Sequence, residues 1–478
     1  MKIKICSAGN CYYKKPEIEG IEFERCGCLG YCGFGPIGII DSKIIPINTS
    51  LLKQLKENPN VIQNVESLNF DKDNKILMRN NDTIDPENID TYVSVGGFKG
   101  LLKALEMDPD SIIEEIERSG LRGRGGAGFP THKKMQMVKT EDQTPKYVVA
   151  NLEEGEVASF NNTILAESNP FSIIEGMIIA AYAVGASKGF IFVNHKAKIA
   201  LKRLQKAIDQ AKQKRYLGQI KEGFSFDIEI RRSPSAYIAG EETAMLEVIE
   251  GKKAFPRNKP PFPVSKGLFK KPTLINNVET LAAIPYIILY GSDFYRSFGT
   301  EGSYGTKMIS LTGNVNNPCV NEIPFNTKIK DIIEKIGRGY RSKNKGFLIG
   351  GPSGGILAQE VEELEYNYDT ISKTGGMVGS GGIYAIEESI SIPELCWYLM
   401  KFFADESCGQ CIPCRVGTKK LTEILDNFLK GRELPYNLDE ISDFIMNVSL
   451  CGLGQAAPIP LLTAIKYFPE EFKQKISV

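Results

Sequence analysis

Nine of the eleven cysteines crowd the two ends of the chain. Cys6, Cys11, Cys26, Cys28 and Cys32 lie in the first 32 residues, Cys408, Cys411, Cys414 and Cys451 in the last 71, and only Cys319 and Cys396 stand apart. Four residues separate Cys6 from Cys11, and three separate Cys28 from Cys32. Two such pairs offer four thiolates, a set that suits a 2Fe–2S cluster, a zinc ion or plain reduced thiols. Cys26 is a fifth thiol that competes with Cys28 as ligand. Near the other end, Cys408, Cys411 and Cys414 form a CxxCxxC run, and Cys451 follows after 36 residues. Three thiolates at that spacing wrap one face of a cubane and a distant fourth closes it, which is a 4Fe–4S pattern; zinc rarely uses such a triple run. Between the two ends, residues 120–130 read Gly-Leu-Arg-Gly-Arg-Gly-Gly-Ala-Gly-Phe-Pro. Glycines at this density let backbone approach a flat or phosphorylated ligand, and successive N–H groups there can form an anion-binding nest. The bland alternative is a mobile turn.

The composition narrows these choices. A chain of 478 residues holds about three or four domains. Its formal net charge is zero, which argues against nucleic acid or an anionic membrane as the main partner. The longest charge-free apolar stretch, around residues 176–187, is too short to span a bilayer. The start, Met-Lys-Ile-Lys-Ile-Cys, is not an apolar signal segment. The expectation is a soluble cytoplasmic protein without membrane insertion, docked on others. In such a protein clustered cysteines read as metal ligands rather than disulfides. With His132 and His195 the only two histidines, a His-rich metal site is excluded.

The elements that must position these groups follow from periodicity. Strands at 2–5 and 37–40 frame a first unit, residues 1–75. Residues 66–95 are polar and turn-rich and read as a linker with a short hairpin. A helix over 112–116, capped by Asp108-Pro109-Asp110-Ser111, delivers the chain into the glycine loop. Beyond it come a strand at 147–150 ending in an acidic turn, 151–156, a helix over 171–187 and a strand at 189–193. An amphipathic helix over 197–216, with Leu201, Leu204, Ile208 and Ala211 on one face, and a strand at 226–230 complete the series. This alternation predicts an α/β domain with a largely parallel sheet over 76–299, whose ligands bind at the carboxyl ends of strands. Both the acidic turn and residues 235–243 fall at such ends. Residues 300–386 carry strands at 308–313 and 345–349 and a short helix over 327–336. Their Gly-Gly-Pro-Ser-Gly-Gly at 350–355 reads as a turn rather than a phosphate loop, because no Gly-Lys-Ser/Thr follows. Residues 387–478 read as all-helical.

Two resemblances add to this reading. Residues 28–36, Cys-Leu-Gly-Tyr-Cys-Gly-Phe-Gly-Pro, resemble the thioredoxin-like 2Fe–2S ferredoxin module at its second cysteine pair. With sixteen residues between Cys11 and Cys28, the module is trimmed relative to that family, and the resemblance favours Cys28 over Cys26 as ligand. Residues 120–131, 236–244, 256–263 and 276–280 resemble, in order, four motifs of the FMN-binding subunit of respiratory complex I. They equally resemble its soluble relatives in NAD-linked hydrogenases, formate dehydrogenases and electron-bifurcating complexes. The resemblance covers nearly the whole chain. It implies an α/β multidomain protein: the ferredoxin module, a Rossmann-like FMN domain, an SLBB β-grasp domain over 300–386, and a C-terminal helical bundle with a 4Fe–4S cluster. It implies FMN held by Gly123, Gly125, Lys134, Asn151, Glu153, Glu154, Tyr237, Gly240, Glu241, Glu242, Asn276, Asn277 and Thr280. It also implies a nicotinamide dinucleotide, NAD(H) or NADP(H), contacted by Phe129, Glu156, Glu242, Lys259 and Phe262, with Glu156 and Glu242 as the catalytic carboxylates. The metal ligands are then Cys6, Cys11, Cys28 and Cys32 for 2Fe–2S, and Cys408, Cys411, Cys414 and Cys451 for 4Fe–4S.

The sequence departs from the family at three places. The usual Asn-x-Asp-Glu-Ser-Glu-Pro-Gly-Thr is Asn-Leu-Glu-Glu-Gly-Glu-Val-Ala-Ser at 151–159, so Glu153 is one methylene longer and Gly155 lacks a hydroxyl. The usual Gly-x-Lys-Trp-x-Phe is His132-Lys133-Lys134-Met135-Gln136-Met137, with both aromatics replaced by Met, which packs more loosely. A usual Gly-x-Gly is Ser233-Pro234-Ser235. These bear on nucleotide affinity and on the choice between NAD and NADP. The implied activity is an NAD(P)H dehydrogenase (diaphorase) subunit: hydride passes between NAD(P)H and FMN, then single electrons pass to the clusters, while the protein positions and tunes the cofactors. The final acceptor lies on other chains: a 2Fe–2S thioredoxin-like subunit, a catalytic subunit such as a hydrogenase or formate dehydrogenase, and ferredoxin in a bifurcating form. Two readings compete, an electron-relay protein with a degenerate nucleotide pocket and a zinc-stabilised structural subunit.

Overall fold

Four sheets and a terminal helical bundle organise the chain in a computed structural model that describes residues 2–473. The first sheet comprises β1 (Lys2–Cys6), β2 (Glu22–Cys26), β3 (Ile37–Ile40) and β4 (Lys43–Pro46), in the order β2-β1-β3-β4. β1 and β2 run parallel, while β3 is antiparallel to both its neighbours. Residue alternation gives this sheet two buried faces. Ile3, Ile45 and Ile47 pack on Leu52 and Leu55 of the helix Thr49–Glu57, whereas Cys6, Cys26 and Ile37 join the largest core of the molecule.

Residues 66–88 form no hairpin, contrary to the sequence reading. A single bridge joins Leu68 to Ile44. Further on, Ile76, Leu77 and Met78 are buried and donate their backbone N–H groups to the Glu322 carboxylate at 3.0, 3.0 and 2.8 Å. The Asp- and Asn-rich flanks disguised a short apolar strap whose polar backbone needs one buried carboxylate.

The second sheet holds β5 (Tyr147–Leu152), β6 (Lys188–Asn194), β7 (Gly218–Lys221), β8 (Phe224–Ser233) and β9 (Thr273–Asn277), ordered β7-β8-β6-β5-β9. β8, β6, β5 and β9 are parallel, and β7 is an antiparallel edge. β6 is buried along almost its whole length, as expected for a strand covered on both faces. One face packs Val149, Phe190, Phe192 and Ile275 on the helix Glu242–Ile249; the other packs on the helices Pro170–Val184 and Val278–Tyr290. After β5 the chain runs to one side for β6 and β8, then returns to the opposite side of β5 for β9. That reversal makes the carboxyl ends of β5 and β9 a topological switch point, where open α/β sheets bind ligands. The helices Asn161–Ser168 and Pro170–Val184 meet at 95°, and among the described residues no single helix is long and apolar enough to cross a membrane.

A small hairpin, β10 (Gly299–Thr300) and β11 (Ser303–Tyr304), precedes the last sheet. This contains β12 (Thr306–Gly313), β13 (Cys319–Pro324), β14 (Asn344–Ile349), β15 (Gly355–Ala358) and β16 (Gly382–Glu387), in the order β13-β12-β16-β14-β15. Only β12 and β16 pair in parallel. The helices Ile392–Glu406, Ile412–Leu429, Leu438–Val448, Gly452–Ala456 and Ile459–Tyr467 then enclose a core that includes Leu399, Phe403, Leu421 and Leu461.

Candidate functional site

The glycine loop begins where the helix Pro109–Ser119 ends, with Gly120 in the left-handed region at φ 66°. The loop closes on itself: Gly123 N–H donates to the Phe129 carbonyl at 2.8 Å, and Thr131 N–H to the Leu121 carbonyl at 3.0 Å. Its two arginines turn away from the ligand side. Arg124 is buried, donates to Tyr295 and the Tyr304 carbonyl, and lies over the Phe325 ring. Arg122 donates to the carbonyls of Gly128 and Gly302 and lies over Tyr368. Both brace the loop from behind. A Cβ on Gly125 would come within 3.3 Å of the Asn277 side chain, so the loop lies directly against the end of β9.

The switch point gathers most of the expected residues. Asn151, on β5, donates to the Gly240 carbonyl at 2.9 Å and accepts from Glu153 N–H at 3.0 Å. Glu241 caps the helix Glu242–Ile249 by accepting from the N–H groups of Thr243 and Ala244, both at 2.8 Å. Lys259 reaches Glu241 at 3.0 Å and Glu242 at 2.7 Å, and Lys134 stands 3.4 Å from Glu242. Burial alone would raise the Glu242 carboxyl, but the ammonium groups of Lys134 and Lys259 outweigh it and hold the group ionised below its usual range. Asn277 caps the helix Val278–Tyr290, and Thr280 Oγ1 accepts from Arg124 N–H at 2.9 Å. Glu154 accepts from Asn162 and Thr163 N–H at 2.9 and 2.7 Å, which starts the helix Asn161–Ser168. Glu156 meets Tyr237 Oη at 3.4 Å, and burial, followed by the Glu154 charge, pushes it up to about 7. Phe129 and Phe262 are exposed aromatic faces.

Among the polar atoms buried here without a partner are Asn276 Nδ2 and Glu153 Oε2. A donor and an acceptor left open beside a glycine-lined loop suit the edge of a flavin ring, so the residues present fit FMN.

The C-terminal cysteines adjoin this seat. Tyr237 N–H donates to Glu406 at 2.8 Å, its ring lies 5.3 Å from that of Phe402, and Ile238 shares a core with Cys414 and Cys451. Cys411 and Cys451 each stand immediately before a helix, and burial pushes the Cys451 thiol up to about 12. The N-terminal thiols converge separately. The Cys11 and Cys28 thiols flank Cys6, and the sulfurs of Cys28 and Cys32 are 3.7 Å apart. These neighbouring thiols hold Cys6 and Cys32 below the usual thiol range. Cys26 pairs with Cys6 in register but has no thiol bond to the other four. Among the described residues, no three or more His, Cys, Asp or Glu side chains gather as a single metal ion requires.

Residues 116–286 match the Nuo51 FMN-binding domain and residues 394–475 the NADH-ubiquinone oxidoreductase-F iron-sulfur binding region. The chain is 39% identical over 409 residues to the NADP-reducing hydrogenase subunit HndC of Solidesulfovibrio fructosivorans, covering 84% of this chain and 83% of that one. It is 38% identical over 405 residues to one of the F-type subunits of NADH-quinone oxidoreductase in Rhizobium meliloti, covering 83% of this chain and 96% of that one.

The chain belongs to the Nuo51 family of FMN-binding NADH-quinone oxidoreductase subunits.

As a member it is an NAD(P)H-oxidising electron-transfer subunit that carries FMN and a 4Fe–4S cluster. The fold agrees with that of an NAD+-reducing [NiFe]-hydrogenase in the air-oxidized state, with a TM-score of 0.73 over 98% of this chain and 84% of that one, at 24% identity. The N-terminal cysteines lie outside both matched family regions.

Against the family pattern, the two methionine departures separate. Met135 is fully buried in the main core, while Met137 is exposed, so only Met137 is free to face a ligand. Sequence reasoning missed several participants. Ser353, in the turn taken as plain turn chemistry, lies 3.0 Å from Tyr237 Oη. Asn194, at the end of β6, holds Glu153 at 2.8 Å, and Glu406 ties the seat to the cysteine bundle. The signal for Asn194 was its place at a strand's carboxyl end, next to His195.

Proposed function

We propose that this chain is the NAD(P)H dehydrogenase (diaphorase) subunit of a multi-subunit oxidoreductase, exchanging hydride with NAD(P)H at FMN and passing single electrons to two clusters. The segment 236–242 carries this reading. It touches the flavin seat through Gly240 and Glu241 and the C-terminal cysteine bundle through Tyr237 and Ile238. When bound, FMN supplies the conversion between two-electron nicotinamide chemistry and one-electron cluster chemistry. The chain's own residues do the positioning. The glycine loop offers bare backbone, and Asn276 Nδ2 and Glu153 Oε2 offer open polar partners. Glu242, held ionised by Lys134 and Lys259, accepts from nucleotide donors, and the exposed rings of Phe129 and Phe262 are free to stack on an adenine. Glu156 and Glu242 would serve as catalytic carboxylates, and Cys408, Cys411, Cys414 and Cys451 would hold the 4Fe–4S cluster.

Cys6, Cys11, Cys28 and Cys32 hold the 2Fe–2S cluster of a trimmed thioredoxin-like module. Support comes from the convergence of these thiols, with Cys28 and Cys32 at 3.7 Å, and from the sheet order β2-β1-β3-β4 with β3 reversed. The β-grasp reading of 300–386 is supported by a first hairpin, β12-β13, and a last strand, β16, that returns parallel to β12. The domains are then 1–75, 76–299, 300–386 and 387–478, in a cytoplasmic complex whose further redox subunits include ferredoxin if the enzyme bifurcates. The test is anaerobic titration of the FMN-loaded protein with NADH and with NADPH. One of them bleaches the flavin absorbance; a flavin left oxidised by both overturns the reading.

A further inference from the structure

Two of the three departures from the family pattern meet at one point. Glu153 stands for the usual Asp, Gly155 for Ser, and Ser233 and Ser235 for Gly. Asn194 Nδ2 donates to Glu153 Oε1 at 2.8 Å, and the Asn194 side-chain oxygen accepts from Ser235 Oγ. Ser235 Oγ is also 2.7 Å from Nδ1 of the exposed His195. A Cβ on Gly155 would come within 3.3 Å of Glu153 Oε1 and 3.7 Å of Asn194 Nδ2. The longer carboxylate and the missing side chain therefore go together. Ser235 keeps the left-handed backbone, φ 60°, that glycine would adopt without strain, so its hydroxyl earns its place in this clamp. The clamp fixes Oε1. An amide does not shuttle protons, which leaves Oε2, buried and without a partner, as the atom free to gain or lose one.

We propose that Glu153 is the proton-exchanging residue of the flavin seat, acting at Oε2, and that Asn194, Ser235 and His195 are positioning residues that hold it from behind. This rests on the flavin reading above. The reaction NAD(P)H + H+ + FMN gives NAD(P)+ and FMNH2. The nicotinamide C–H bond breaks and its hydrogen leaves with both electrons, while the second hydrogen arrives as a proton. Glu153 gives that proton from Oε2–H; when two one-electron acceptors take the two electrons back out, two protons leave as well, one to the Glu153 carboxylate and the other to bulk water. Burial pushes Glu153 up to about 7; the nearby Ser233, the Asn194 bond to Oε1 and Lys196 pull it back, and the Glu406 charge adds to the rise. Both protonation states are thus populated near neutral pH, as proton exchange requires.

The test is the pH profile of the flavin midpoint potential, measured anaerobically on the FMN-loaded protein, with absorbance confirming flavin in every variant. The wild type shows a break near pH 7. Glu153→Gln removes the break, deletes a carboxylic-acid band from the reduced-minus-oxidised infrared difference spectrum, and slows NADH-driven bleaching about a hundredfold. Ser235→Ala loosens the bond that favours the carboxylate, so the break moves to higher pH. An FMN-loaded Glu153→Gln that keeps the break and the band overturns the proposal while leaving the flavin reading intact. An unmoved break in Ser235→Ala overturns the positioning role. A wild type that binds no FMN overturns both readings.

Discussion

The two cysteine sites use the same residue type in opposite surroundings. At the N-terminal site Cys6, Cys11 and Cys28 are 1–2% exposed and only Cys32 is partly open, against two partly open thiols at the C-terminal site. Neighbouring domains wall it in. Ser168 accepts nothing from the thiols but takes the Cys28 N–H at 3.0 Å, Glu167 takes the Gly9 N–H, and Asn317 takes the Gly33 N–H. At the C-terminal site Cys408 and Cys411 are partly exposed, and Cys411 and Cys451 sit at helix starts beside the flavin seat. One site is enclosed by the fold; the other is open on one side and in contact with the seat on the other.

That contrast can be broken most severely at the ligands. Cys451→Ser removes the 4Fe–4S signal and abolishes NADH-driven reduction of one-electron acceptors, while Cys28→Ser removes only the proposed 2Fe–2S signal. Cys26→Ser keeps both, since its thiol stands outside the network; iron content and electron paramagnetic resonance of the three variants decide. The next effect is on the wall around the N-terminal site. Glu322→Ala orphans the buried N–H groups of Ile76, Leu77 and Met78 and costs about 3–5 kcal/mol in chemical denaturation. The C-terminal iron should survive under native conditions.

Much of this contrast was legible in the sequence, because cysteine spacing and glycine density are local signals. The alternation of strands and helices over 147–230 was readable for the same reason, since periodicity needs only neighbouring residues. What escaped depended on distant partners. Nothing near Ile76 announces that Glu322, far along the chain, completes its backbone. Nothing in the glycine loop says that Arg122 and Arg124 face inward, because their partners, Gly302, Tyr295 and Tyr304, come much later. β9 escaped because Thr273–Asn277 is short and follows a proline-rich stretch. The clamp on Glu153 was visible only as unexplained departures until β6 brought Asn194 beside it.

Two milder tests sharpen the comparison. A chelator under air should strip the C-terminal iron several-fold faster than the N-terminal iron, because its ligands are open to solvent; equal rates would erase the distinction. The seat between the sites also sets a pH signature. Burial raises Glu153 and Glu156 to about 7, above the roughly 4.3 of an unfolded glutamate. Their contribution to stability is complete below that lower value and is lost as pH rises through about 7. The apo-protein's Tm should fall across that window, and the Glu153→Gln, Glu156→Gln double variant should flatten the fall.

In the proposed route, electrons entering at the glycine-lined seat leave through the adjacent C-terminal cluster. Rapid freezing of the FMN- and iron-loaded protein after mixing with NADH or NADPH, followed by electron paramagnetic resonance, tests it most directly. The 4Fe–4S signal should grow as the flavin bleaches, and Cys451→Ser should bleach without that signal. A wild-type flavin that bleaches while the C-terminal cluster stays oxidised would contradict it.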